Sequence, residues 1–238
     1  LSVKAAQLLT PTESAAHLEW IHRLAWLDPE NGQAFGHLSY FLPWGRVAVA
    51  LTTTLGLAAL GPLLARPFGR RTALFVTGLL ALAPFLVGHS GLLHTDGLVT
   101  TFVMLSLAAA LNGLHEPDRA RWWGLSGVFA GLAILTKTPA IALLPFVGLI
   151  QLVAHLRRYS MARAPLQGAA KLRSLARRAL SVAFHFLLFL LTAALTIGVL
   201  YPALWGDPVA TVRSLFSLAE RHVAPVGRVL EVRVQIHL

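Results

Sequence analysis

The sequence contains no cysteine, which excludes disulfides, Cys-ligated metal sites and thiol catalysis. It is also poor in charge. Asp, Glu, Lys and Arg make up 13% of the 238 residues, about half the share usual in soluble domains. Lysine is scarcer still, found only at Lys4, Lys137 and Lys171. No internal repeat is visible, and no low-complexity tract beyond a Leu/Ala bias. The chain opens Leu1-Ser2-Val3, without an initiator Met and without the charged and apolar regions of a signal peptide. This start does not read as a natural amino terminus, so the chain is expected to be part of something longer.

What is present in abundance is apolar. Hydrophobic residues make up 56% and mean hydropathy is +0.67. Apolar runs occur at 47–65, 72–88, 98–114, 122–136, 138–155 and 180–200, lengths that approach or reach the ~30 Å of bilayer hydrocarbon. Gly56, Pro62, Gly78, Pro84 and Pro145 fall within these runs, and membrane helices tolerate such residues better than soluble ones. The expected fold is an all-α, polytopic transmembrane helical bundle of about six spans. Net charge is +10, which in a soluble protein would suggest nucleic acid. Here the basic residues sit in short loops between apolar runs, and no nucleic-acid partner is expected.

The first 45 residues do not read as a span. Thr10-Pro11-Thr12-Glu13 forms a capping box with Pro at the first helical position. The helix it opens carries Leu18, Trp20, Ile21, Leu24 and Leu27 on a broad apolar side, with Glu19 and Arg23 as an i,i+4 pair. Asp28-Pro29-Glu30-Asn31-Gly32 stops it. Trp20 and Trp26 suggest a juxtamembrane amphipathic helix at the lipid interface. An ordinary packed surface helix fits as well.

Orientation follows from the loops. Those at 66–71, 115–121 and 156–179 hold twelve of the twenty Lys and Arg residues, and they alternate with segments that are much longer for the eight they hold. By the positive-inside rule the first set faces the cytoplasm. Eight of the ten acids, all but Glu116 and Asp118, then lie outside, as do both ends of the chain.

Two polar constellations interrupt the apolar pattern. The first is His89-Ser90-Gly91-Leu92-Leu93-His94-Thr95-Asp96-Gly97. A carboxylate between two apolar spans is costly unless it serves water or a partner, so Asp96 is a candidate site residue with His89 and His94 beside it. Asp96 could equally cap the helix starting near Leu98. The second is Thr136-Lys137-Thr138-Pro139. Lys137 breaks an apolar stretch from Trp122 to Ala154 that is long enough for two crossings, which puts the lysine at the turn on the outer side. An ammonium between the hydroxyls of Thr136 and Thr138 suits a phosphate; the other reading is snorkelling to lipid headgroups. The Gly127–Gly131 spacing reads as close helix packing. His17 and His22 are five apart and share no helix face, and no metal site is expected. Tyr201-Pro202-Ala203-Leu204-Trp205-Gly206-Asp207-Pro208 reads as an aromatic belt leading to an outer loop, followed by Glu220, Arg221 and His222.

Arg66-Pro67-Phe68-Gly69, a span ending in Ala83-Pro84, the loop His89…His94-Thr95-Asp96, and Gly127-x-x-x-Gly131-Leu132-Ala133 running into Leu135-Thr136-Lys137-Thr138-Pro139 come in an order that resembles one family. These are the membrane-embedded glycosyltransferases of the protein O-mannosyltransferase and aminoarabinose-transferase type, in the C-type superfamily. The resemblance covers about residues 46–225. It implies transfer of a sugar from a polyprenyl-phosphate carrier to a protein, lipid or glycan acceptor outside the cytoplasm, at the cell membrane. It implies no further cofactor. Lys137 matches a phosphate-binding position and Asp96 an acidic position in the second outer loop, where it would support catalysis; His89, His94 and Thr136 would line the donor site. The family's main carboxylate lies in the first outer loop and would precede Leu1. One core is then expected over 1–225, with 1–45 the rest of that loop, 46–200 the spans, 201–225 an outer loop and 226–238 unassigned. A transporter using Asp96 and Lys137 in a substrate path is the alternative, and it should show repeated halves and charges near the midplane. A non-catalytic membrane scaffold is the third reading.

Overall fold

The structure, a computed structural model, describes residues 32–90, 95–116, 120–161 and 169–206, together with 209 and 213. The capping box at Thr10, the amphipathic helix after it and residues 214–238 lie outside the described residues. What is described is helical, without a strand. In chain order, α1 is Gly32–Phe68, α2 Arg70–Ala81, α3 Pro84–Ser90, α4 Thr95–His115 and α5 Ala120–Thr136. A 3₁₀ turn, Thr138–Ala142, leads into α6, Leu143–Met161; α7 is Ala169–Leu200 and the short α8 is Ala203–Gly206. The fold is an all-α helical membrane bundle.

Four helical stretches are long and apolar enough to cross a bilayer: Leu42–Phe68, Thr95–His115, Thr138–Arg157 and Leu175–Leu200. The other two expected spans differ. The run at 72–88 is broken at Leu82–Ala83 into α2 and α3, because Pro84 has no N–H to continue the helix. The run at 122–136 is a helix of 17 residues, about 25 Å long, packed among the others. The first helix also takes in residues before the expected Val47, its described range being Gly32–Phe68. Helix α1 ends at Gly69, whose φ of +82° and ψ of 156° lie in a region open almost only to glycine, and α2 begins at once.

Helix α5 is the centre. It packs against α4 on one side and α7 on the other, α4 packs on α1, and α1 on α2. Trp122 and Trp123 face opposite ways from its first turns. Trp122 joins Leu60, Leu63, Leu105 and Ala108, while Trp123 joins Ala110, Val147, Phe189 and Ala193. In lipid, helices gain no hydrophobic energy by associating, so close backbone approach and interhelical hydrogen bonds must hold them. Both are present. A Cβ at Gly127 would meet the Thr192 hydroxyl and the Phe189 carbonyl, and one at Gly131 would lie 2.7 Å from the Ala193 carbonyl. The Gly127–Gly131 spacing is thus a packing seam, and it runs α5 parallel to α7. Between α4 and α5, Ser106 Oγ donates to the Ser126 carbonyl (2.8 Å) and Ser126 Oγ returns a bond to the Ser106 carbonyl (2.9 Å). Asn112 Nδ2 ties α4 to α1 through the Leu63 carbonyl at 2.8 Å.

The outer surface is apolar. On α7, Leu180, Phe184, Leu187, Leu191 and Leu195 form an exposed stripe, while His185, Phe189 and Ala193 form the buried one. An exposed apolar stripe of this length is a lipid-facing surface.

Candidate functional site at the Lys137 end of the bundle

Successive helices bring the ends of α1, α4 and α6 and the starts of α2, α5 and α7 to one end of the bundle, and the starts of α4 and α6 and the ends of α5 and α7 to the other. At this second end, Lys137 stands in extended backbone (φ −155°, ψ 124°) between α5 and the 3₁₀ turn. Its N–H still closes α5 by donating to the Ala133 carbonyl at 3.0 Å. Pro139 follows at the start of the turn, so the α-helix cannot run on and the apolar stretch divides at the lysine.

Asp96 lies in the first turn of α4, which begins at Thr95 rather than near Leu98. It is therefore inside the helix, not outside it as the alternative capping reading had it. A carboxylate in a first turn still favours the positive end of the helix dipole. The two residues singled out independently from the sequence meet here. Lys137 Nζ donates to Asp96 Oδ1 at 2.5 Å across 41 residues of sequence. The side chains are 45% and 28% exposed, so the pair is open to its surroundings. Open ion pairs contribute only ~0–1 kcal/mol, which makes stability a poor reason for this one.

The other sequence candidates are placed less fully. Thr136 Oγ1 donates to the Leu132 carbonyl at 2.7 Å, within its own helix, while keeping its acceptor lone pairs. Thr138 is exposed beside Lys137. His89 falls in α3, whose last two side chains are not described, and His94 lies outside the described residues. Among the described residues no three His, Asp or Glu side chains gather as a metal site would require. At the same end, Trp205 Nε1 donates to the Gly198 carbonyl at 2.8 Å, folding the aromatic segment back over the last turn of α7.

One cluster went unnoticed in the sequence. At the opposite end the buried Trp122 ring lies 4.6 Å from the Arg66 guanidinium and 4.9 Å from that of Arg121, and its Nε1 donates to Glu116 Oε2 at 3.4 Å. A tryptophan next to an arginine at the start of a span was the available signal, but Arg66 is distant in sequence.

No curated protein and no solved structure matches the chain. Residues 43–176 match a family described as dolichyl-phosphate-mannose-protein mannosyltransferase. That stretch is more than half of the chain and contains α2 to α6, Asp96 and Lys137. With apolar helices exposed to lipid and a carboxylate–ammonium pair at their ends, the chain belongs to this family of membrane glycosyltransferases.

Proposed function

We propose that the chain transfers a sugar from a polyprenyl-phosphate carrier to a protein, lipid or glycan acceptor on the extracytoplasmic side, with Lys137 binding the carrier's phosphate and Asp96 positioning Lys137. The observation that carries this reading is the open Asp96–Lys137 pair. An ammonium held at a helix junction, at the level where apolar helices end, meets a lipid phosphate without moving the lipid out of its layer. In the reaction, an acceptor hydroxyl oxygen bonds to the sugar's anomeric carbon while the bond from that carbon to the phosphate oxygen breaks. The bonding electrons leave with the phosphate, and a carboxylate takes the hydroxyl proton. Cations stabilise the departing phosphate, whose charge grows as the bond lengthens. Lys137 supplies such a cation, and Asp96 limits its freedom beforehand.

The arginine distribution supports the outward placement of this end. The opposite end carries Arg66, Arg70, Arg71 and Arg121, the bias of a cytoplasmic face. A path through the membrane middle is less well supported, since both charges sit at helix ends and the mid-helix Ser106 and Ser126 bond to each other.

The test uses sealed right-side-out vesicles containing the full-length protein. A labelled polyprenyl-phosphate sugar is expected to glycosylate an acceptor added outside, and a nucleotide sugar is expected to give no product. Turnover of the nucleotide sugar, or product only with acceptor trapped inside, would contradict the proposal.

A further inference from the structure

Helices α1 and α2 leave a groove of about 340 Å³ on the lipid-facing surface. Ala58, Gly61 and Ala65 of α1 face Ala73 and Thr77 of α2, with Arg70 at one end. The small residues make the groove, since larger side chains at those positions would fill it. Its walls are apolar except at two places. Arg70 is exposed at the end where the arginines collect, next to Arg71, and neither has an acidic partner among the described residues. Thr77 Oγ1 is buried and has no hydrogen-bond partner. Arg66, near the end of α1, is drawn onto the Trp122 ring, which leaves Arg70 as the cation that lines the groove, with Arg71 adjacent to it in the chain.

We infer that this groove is a binding site for one anionic phospholipid of the adjoining leaflet, its headgroup on Arg70 and Arg71 and the upper part of an acyl chain between α1 and α2. Charge complementarity selects this occupant. The Arg70 guanidinium stands at the mouth with the exposed Arg71 next to it in the chain, and the first turn of α2 adds the positive end of its dipole without a side-chain cap at Gly69. From Arg70 to Thr77 the helix rises about 10 Å, which takes the groove from the headgroup into the hydrocarbon. The site lies at the end of the bundle opposite Lys137 and does not depend on the transferase reading.

The test is native mass spectrometry of the full-length protein released from nanodiscs of equal phosphatidylglycerol and phosphatidylcholine. Wild type is expected to retain phosphatidylglycerol preferentially. Arg70→Gln and Arg71→Gln should each lower that preference about fivefold, the effect of ~1 kcal/mol per basic residue near a charged surface. Arg70→Lys, which keeps the charge, should retain it. Leu74→Trp, which fills the groove from α2, should remove the retained lipid, and Arg177→Gln, an exposed arginine on α7, should change nothing. Equal retention of both lipids by wild type would overturn the inference. So would a loss of preference in Arg177→Gln as large as in Arg70→Gln, or undiminished retention in Leu74→Trp.

Discussion

Asp96→Asn is expected to leave the fold intact and to lower the rate of sugar transfer about ten- to hundredfold, the equivalent of losing one charge-assisted hydrogen bond of ~1.5–3 kcal/mol. Asparagine has nearly the shape of aspartate and can still accept a bond from Lys137 Nζ. It lacks the charge that holds the ammonium at 2.5 Å. The first-turn carboxylate contributes only about 0.3–1 kcal/mol through the helix dipole, so the beginning of α4 should survive its loss. The substitution therefore separates a residue that positions Lys137 from one that only serves the helix. The checks are kcat/KM for the lipid-linked donor and the unfolding temperature in detergent, measured together. A positioning role predicts lower kcat/KM at constant Tm, with part of the activity kept in Asp96→Glu. Unchanged turnover would leave Asp96 with a helical role alone.

Gly127→Leu is expected to separate α5 from α7 and to cost at least about 2–3 kcal/mol, in the upper range for over-packing a filled interface. Any side chain there meets the Phe189 carbonyl, which is backbone and cannot turn aside, as well as the Thr192 hydroxyl. Gly124, one turn earlier on the same helix, is the control. A Cβ at Gly124 would lie 3.7 Å from Thr192 Cγ2, an ordinary contact, so Gly124→Ala should be neutral or stabilising. Thermal unfolding of the two variants in one detergent tests the pair. The seam is refuted if Gly127→Leu unfolds with wild type while Gly124→Ala does not differ from either.

Much of this arrangement was legible in the sequence, for reasons that differ between residues. Lys137 was legible because one cation divides an apolar stretch too long for a single crossing. Asp96 was legible because a carboxylate between apolar runs calls for an explanation. Their meeting was not, because 41 residues and two helices separate them and periodicity carries no information about which helix ends converge. Gly127 and Gly131 announced a packing seam by spacing, but the identity of the facing helix came only with the fold. Span boundaries were read less well. Hydropathy averaged over 72–88 hides the break that Pro84 imposes, and the polar residues before Val47 hide the helix that takes them in. The stacking on Trp122 was half legible: Arg121 is its neighbour in sequence, but Arg66 is distant and read as an ordinary loop charge.

Binding of the carrier's phosphate by Lys137 is tested most directly by the affinity of the purified full-length protein for polyprenyl phosphate in wild type, Lys137→Arg and Lys137→Met. A lysine that only reaches for headgroups would be replaced equally well by arginine, which anchors in the same way. A lysine fitted between Thr136, Thr138 and Asp96 is a compact point charge that the wider guanidinium reproduces only in part. Partial loss is expected for Arg and about ten- to hundredfold weaker binding for Met, with all three proteins folded. Binding by folded Lys137→Met as tight as wild type would contradict that role.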